Sequence, residues 1–137
     1  MIPALTIRQP WAWLIVHGHK DIENRECSTP FRSQLLVHSG LTMTRAYYDE
    51  ITKELGNASM LPAGGLLSYD DLPRGGLVGW TSIVDGVAHS ASKLKQVGSF
   101  GFVLLDRRPM PFVPWRCRLQ FFNLPELAAE AHSHDTR

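Results

Sequence analysis

Short apolar or alternating stretches, separated by glycine, proline or charged residues, recur along the chain. Stretches of about four to eight residues with this pattern are typical of β-strands. We predict strands over residues 4–7, 21–25, 34–38, 77–84, 101–105, 111–113 and 117–122. Because these strands do not alternate with long helices, the pattern favours an α+β fold built around a small β-barrel.

Two segments before residue 60 carry helical patterns. Pro10 stands where the first turn of a helix tolerates proline, and the apolar run after it predicts a short buried helix. Between residues 43 and 55, apolar side chains recur every four residues, which predicts an amphipathic helix. We expect Tyr47 and at least one of Trp11 and Trp13 to pack in the core.

The length of the chain, 137 residues, fits one domain. We predict a single domain over residues 1–125, in which the glycine- and proline-rich residues 56–76 form a loop insertion. A last helix is predicted over 124–131, so that 126–137 hold its end and a polar tail. The predicted core consists of Leu5, Leu14, Ile15, Ile22, Leu36, Ile51, Val78, Ile83, Val103 and Phe121.

Composition excludes several classes of protein. Hydrophobic residues make up 44% and charged residues 20% of the chain, as in soluble globular proteins. No apolar run approaches the roughly 18 residues that span a membrane, and the first residues do not resemble a secretion signal. Two cysteines, Cys27 and Cys117, cannot form a disulfide scaffold, and His17 and His19 have no third ligand nearby. We therefore expect a cytoplasmic protein without metal or other cofactor.

The net charge of +1 conceals a basic segment. Residues 86–118 carry six lysines and arginines against a single acidic residue, Asp106. Such a segment can bind a polyanion through its surface. The alternative is that these charges only keep the surface solvated.

Lys20, Glu23 and Arg25 are the densest group of candidate functional residues. If a strand begins just after Lys20, alternation sends Ile22 into the core and places Glu23 and Arg25 together on the opposite face. An ammonium, a carboxylate and a guanidinium at one rim of a barrel would suit a phosphate or a polar planar group. The alternative is an exposed Glu23–Arg25 ion pair with Lys20 in solvent.

Three motifs around this group carry a family resemblance: LTIRQPWAWLI at residues 5–15, G-x-K-x-x-E-x-R at 18–25 and TPFR at 29–32. With them, the chain resembles the ASCH family from about residue 4 to about residue 122. These are the activating-signal-cointegrator homology domains, relatives of the PUA domains that bind RNA. The resemblance implies a PUA-like β-barrel of mixed strands with flanking helices. It also implies an open cleft, lined by the Lys, Glu and Arg of the second motif, for nucleic acid or a nucleobase.

At two places the chain departs from the family in ways that bear on function. Near residues 92–98 the usual aromatic side chains are replaced by a segment with Lys93 and Lys95, which favours attraction to phosphates over base stacking. A branch of the family hydrolyses acetylated cytidine with a threonine where this chain has Glu23. A hydrolase of this sequence would instead use Glu23 to activate a water and Lys20 to stabilise the oxyanion.

We therefore predict a domain that binds RNA or another single-stranded nucleic acid, with a base or a phosphate in the cleft. The alternative is a small hydrolase, either a ribonuclease or an amidohydrolase of a modified nucleoside, acylated cytidine. Its catalytic residues would be Lys20, Glu23 and Arg25. Binding is favoured because the sequence offers no dedicated nucleophile. The predicted nucleic-acid-binding residues are Arg8, Lys20, Arg25, Arg32, Lys93 and Lys95.

Overall fold

Strands dominate the structure, a computed structural model that describes residues 2–88, 99–116 and 121–124, the last four by their backbone. Two helices accompany six strands within these ranges. In chain order the elements are β1 (Ile2–Ile7), α1 (Trp11–Val16), β2 (Ile22–Arg25), β3 (Gln34–Ser39), α2 (Arg45–Asn57), β4 (Gly76–Val87), β5 (Phe100–Pro114) and β6 (Phe121–Leu124).

All six strands belong to one mixed sheet in the order β2-β5-β4-β3-β1-β6. β1 and β3 are parallel, and every other neighbouring pair is antiparallel. The sheet curls so that its first strand, β2, meets its fifth strand, β1. At this meeting, Arg25 of β2 donates from Nη2 to the carbonyl oxygen of Thr6 in β1 at 2.8 Å. The predicted α+β, barrel-like fold of mixed strands with flanking helices is therefore confirmed. The line along which β2 and β1 face each other is called the seam below.

β-bulges bend the long hairpin of β4 and β5, whose pairing shifts register three times. In the middle shift, Trp80 pairs with Arg108 whereas Ser82 pairs with Leu105, so β5 has one extra residue. The prediction of two strands, over 101–105 and 111–113, is wrong, since both belong to β5. The polar residues between them include the bulge, which shifts the pairing without ending the strand. Of the strand predicted over 117–122, residues 121 and 122 belong to β6, and 117–120 lie outside the described residues.

The main core lies between the concave face of the curled sheet and α1. Eight of the ten predicted core residues are buried, while the side chain of Phe121 falls outside the described part. The prediction that Val103 is buried in the core is wrong, since its side chain is only half-buried. Phe102 and Leu104 point inward, and alternation along the strand then places Val103 on the other face.

The segment between α2 and β4, which nearly coincides with the loop insertion predicted at 56–76, is bonded to the rest of the fold. The Tyr48 hydroxyl donates to the carbonyl of Leu67 at 2.8 Å, and the Tyr69 hydroxyl donates to that of Met43 at 3.0 Å. Leu72 is buried within it. The predicted helix over 124–131 begins at Leu124, which belongs to β6, and its other residues lie outside the described part of the chain.

His38, in β3, is a fully buried imidazole that contacts β1 and the residue after β5. Its Nε2 lies 2.9 Å from the carbonyl oxygen of Trp115, which can only accept, so Nε2 carries the proton. Nδ1 then accepts from the Thr6 hydroxyl at 3.2 Å. Burial lowers the pKa of His38 below its ordinary value, and the bond to Trp115 offsets only part of this.

Because the folded state favours the neutral imidazole, the unfolded chain binds more protons between the lowered pKa of the folded state and the ordinary value of 6.5. We expect the free energy of unfolding to fall from pH 8 to pH 5, by at most about 1.4 kcal/mol per pH unit from this group. Urea unfolding of wild type and of His38→Gln at several pH values measures how the free energy of unfolding depends on pH. The difference in free energy of unfolding between wild type and His38→Gln should narrow as the pH falls, because only the wild type loses the contribution of this imidazole. If this difference did not change with pH, a buried neutral His38 with a lowered pKa would be contradicted.

Candidate functional site

The turn after α1 fixes the position of Lys20. Gly18 has a φ of 82°, a conformation that glycine adopts without a steric penalty. The backbone N–H groups of His19 and Lys20 both donate to the carbonyl oxygen of Leu14, at 2.7 and 3.0 Å. From the other side, Arg107 Nη1 donates to the carbonyl of Lys20 at 2.9 Å and approaches that of Gly18 at 3.4 Å. Lys20, two residues before β2, is therefore held by backbone contacts on both sides.

Glu23 shares its carboxylate between two cations. Lys20 Nζ lies 3.3 Å from Oε1, and Arg25 Nε lies 3.4 Å from Oε2. The second contact is an ion pair without the angle of a hydrogen bond, since Nε finds no hydrogen-bond partner within the described residues. The side chains of Lys20 and Glu23 are 4% and 9% exposed, so the alternative of an exposed pair with Lys20 in solvent is wrong.

Glu23 and Arg25 share one face of β2, as alternation predicts, but that face is the concave one. Glu23 lies opposite Phe102, a member of the main core, and Arg25 lies opposite Phe100. Ile22 is buried on the other face, opposite Val103. Ile22 is therefore buried as predicted, and Glu23 is buried as well, because both faces of this edge strand are covered.

Aromatic rings extend the group toward the surface. The Nζ atom of Lys20 lies 4.6 Å from the ring centroid of Trp11, a cation–π distance. The Trp11 indole donates from Nε1 to the Tyr47 hydroxyl at 2.8 Å, and the Arg8 guanidinium lies 4.9 Å from the Tyr47 ring. A continuous series of contacts thus joins exposed Arg8 to buried Glu23. Sequence reasoning assigned Tyr47 to the core and missed this link, because the partners are 36 residues apart.

Gln9, which the sequence analysis did not single out, is completely buried and holds the start of α1. Its Oε1 accepts from the backbone N–H of Trp13, and its Nε2 donates to the carbonyl of Pro73, both at 2.8 Å. The first bond satisfies an N–H group that the first helical turn leaves open. The sequence feature that could have identified Gln9 is its position directly before Pro10, at the start of an apolar helix.

A pocket of about 440 Å³ opens at the seam beside Arg25. This seam pocket has two apolar side chains in its wall and otherwise polar ones. Arg25 lines it, whereas Lys20 and Glu23 are not among its lining residues. Of the three residues predicted to line a cleft, only Arg25 lines this pocket, and the other two contact each other behind it. The lining residues are Leu5, Asn24, Arg25, Glu26, Cys27, Ser28, Thr29 and Phe102.

The other predicted binding residues divide into two groups. Arg32 is exposed next to the seam pocket, where its Nη1 donates to the carbonyls of Thr29 and Phe31 at 2.6 and 2.8 Å. Arg8 is exposed at the Tyr47 end of the series of contacts. Lys93 and Lys95 lie outside the described residues.

Neither a metal cluster nor a membrane-spanning helix occurs in the part of the chain that the structure describes. No three His, Cys, Asp or Glu side chains gather there. The rings of His17 and His19 pack against Trp13 instead, with centroids 4.9 and 5.5 Å from the indole. Neither of the described helices combines the length and apolarity that crossing a bilayer requires.

Sequence comparisons match this chain to one family and to parts of longer proteins. The model of the ASCH domain family matches residues 5–106. Activating signal cointegrator 1 of Homo sapiens and that of Mus musculus are each 26% identical over 114 residues, which cover 80% of this chain and 19% of theirs. The chain thus spans about a fifth of the length of these curated relatives.

Solved structures with the same fold come from Zymomonas mobilis. A crystal structure of a serine-to-alanine variant of an ASCH protein superposes with a TM-score of 0.56 at 11% identity, covering 95% of both chains. A tyrosine-to-phenylalanine variant gives 0.55 at 12% identity, covering 94% of each chain. At such identities, the likeness shows the fold alone.

Breaking the buried pair from one side leaves a charge without compensation. We expect Glu23→Ala to lower the free energy of unfolding by about 3–5 kcal/mol, because the Lys20 ammonium stays buried. The double variant Lys20→Met/Glu23→Leu should lose less than the sum of its single changes. A double-mutant cycle by urea unfolding measures this coupling, with Arg45→Met/Asp49→Leu on the exposed face of α2 as matched control. Additive losses at Lys20 and Glu23 would contradict the pairing.

Proposed function

The chain belongs to the ASCH domain family, a PUA-like family generally linked to RNA binding, and from this premise we propose that it binds single-stranded RNA with one unpaired base in the seam pocket. The observation that carries the proposal is the partly exposed guanidinium of Arg25, held in the wall of that pocket. Three contacts support it: Thr6 and Glu23 hold Arg25, and Lys20 holds Glu23.

The shape and chemistry of the seam pocket suit a nucleobase. Its volume of about 440 Å³ lies within the range of small-molecule sites, roughly 300–1,000 Å³. Leu5 and Phe102 provide apolar wall for the ring faces, whereas Ser28 and Thr29 provide polar groups for the ring edges. Proteins that recognise RNA by sequence mostly take splayed, unstacked bases of single strands in this way.

Arg25 is pre-organised to donate to such a base or to its phosphate. Among the residues that the structure describes, one of its five N–H groups donates to the Thr6 carbonyl, and its Nε faces Glu23 without a hydrogen bond. A guanidinium that is already held loses little conformational entropy on binding. Glu23 and Lys20 act behind it as positioning residues.

Phosphates on either side of the base have candidate partners. Arg32 is exposed beside Thr29, which lines the seam pocket, so its charge lies at the rim. Lys93 and Lys95 belong to a basic segment of the sequence and remain predicted phosphate contacts. Exposed cations at a pocket rim attract a polyanion without reading its bases.

The hydrolase remains the alternative, and the buried Lys20–Glu23 pair is what favours it. Polar residues buried beside a pocket are candidates for catalysis. However, both Glu23 oxygens face cations, and Glu23 does not line the seam pocket. A general base must reach the proton that it abstracts, directly or through one water. Binding without turnover is therefore the proposal that fits these contacts better.

Arg25→Ala should weaken binding of a fluorescein-labelled single-stranded RNA of about ten nucleotides at least tenfold, about 1.4 kcal/mol. The loss follows from removal of the held guanidinium, and fluorescence anisotropy measures it. Arg45→Ala removes the same charge from α2 and should bind like wild type. Arg25→Lys, which keeps charge but not the fork, should also bind poorly. Circular dichroism checks that the Arg25→Ala protein is folded. If the folded variant binds RNA with unchanged affinity, the proposal is wrong.

We expect no product when the wild type is incubated with labelled RNA or with N-acetylated cytidine. The reason is the position of Glu23, whose oxygens face cations instead of the pocket. Gel electrophoresis and chromatography detect cleavage and deacylation respectively. Turnover that disappears in Lys20→Ala would establish the hydrolase, whereas turnover that persists there would point to a contaminant.

A further inference from the structure

A second concavity, of about 330 Å³, lies at the middle bulge of the β4–β5 hairpin. This bulge pocket is polar throughout and contains two arginines that follow one another in the sequence. It shares no lining residue with the seam pocket. Its lining residues are Gln34, Ser82, Asp106, Arg107 and Arg108.

The bulge explains how two consecutive arginines reach one pocket. In a regular strand, neighbouring side chains point to opposite faces of the sheet. Here β5 has one extra residue opposite Trp80–Ser82, and Asp106 takes a φ of 52° that residues other than glycine seldom adopt. The strand is thereby turned locally, and Arg107 and Arg108 both face the concavity.

Both arginines are anchored without being neutralised. Arg107 donates to the carbonyls of Gly18 and Lys20, and the Arg108 guanidinium lies 5.9 Å from the ring of buried Trp80. Across the described ranges, neither guanidinium forms an ion pair with a carboxylate. Asp106 also lines the pocket, so its net charge is one positive unit.

We propose that the bulge pocket binds one phosphodiester group of the RNA strand whose base occupies the seam pocket, an inference that rests on the proposed function. A phosphodiester carries a single negative charge, which matches the net charge of the lining. Arg108 and the remaining N–H groups of Arg107 donate to its oxygens, with the Ser82 hydroxyl and the Gln34 amide as neutral donors.

The two pockets are linked through the chain segment 18–29. Arg107, in the wall of the bulge pocket, is bonded to the carbonyls of Gly18 and Lys20 at one end of this segment. Arg25 to Thr29, at the other end, line the seam pocket. One strand of RNA that follows this segment contacts both pockets, whereas a single nucleotide fills only one of them.

Arg108→Gln tests the proposal, because glutamine removes the charge and still covers Trp80. Binding of an RNA of about ten nucleotides should weaken about threefold to tenfold, and the slope of log affinity against log salt should fall by about 0.7, the value for one phosphate contact on a single strand. Binding of a single nucleoside monophosphate to the seam pocket should not change. Arg45→Gln, matched in charge and located on α2, should leave the slope as in wild type.

The outcomes separate this inference from RNA binding itself. If Arg25→Ala abolishes binding while Arg108→Gln keeps the wild-type slope, the bulge pocket is not a phosphate site and RNA binding stands. If wild type binds no RNA, both fail. An equal change of slope in Arg45→Gln would overturn the inference as a general charge effect. If inorganic phosphate binds wild type but not Arg108→Gln, and at constant ionic strength leaves RNA binding to wild type unchanged, the pocket takes free phosphate instead of the RNA strand, which also overturns the inference.

Discussion

A carboxylate turned toward the inside of a curled sheet has to be compensated, and much of this structure follows from how Glu23 is compensated. Removing a carboxylate from water costs several kcal/mol unless cations and hydrogen bonds replace the solvent. Lys20 and Arg25 supply the cations, one on each oxygen. Lys20 in turn lies over Trp11, and Arg25 reaches across the seam to Thr6. The same contacts thus close the barrel and present a guanidinium to the seam pocket.

Support for Arg25 comes from parts of the chain that are far apart in sequence. The position of Lys20 depends on the end of α1 and on Arg107 in β5, and that of Trp11 depends on Tyr47 in α2. Each of these contacts restricts a side chain before any ligand arrives. A site supported in this way resembles other pre-organised binding sites, in which little entropy remains to be lost on association.

Local pattern predicted much of the fold, and the limits of that reasoning have physical causes. Alternation grouped Glu23 with Arg25, because side chains two residues apart share a face in any strand. It also placed them correctly on the face opposite Ile22, but it did not predict the burial of Glu23, because period two predicts burial only where one face of a strand is open. The seam pocket depends on β1 meeting β2, and the bulge at Asp106 depends on pairing with β4. Neither contact leaves a signal within a window of neighbouring residues.

The pairing of β1 with β6 gives the domain a modular property. Ile2 lies opposite Leu124 in an antiparallel ladder, so the beginning and the end of the described fold are neighbours in space. A unit whose ends adjoin can be placed inside a longer polypeptide at a single point without stretching the flanking chain. The matched relatives, in which the similar stretch makes up 19% of the protein, show such a unit within a much larger polypeptide. The ladder that completes the sheet is therefore also what makes the fold transferable between architectures.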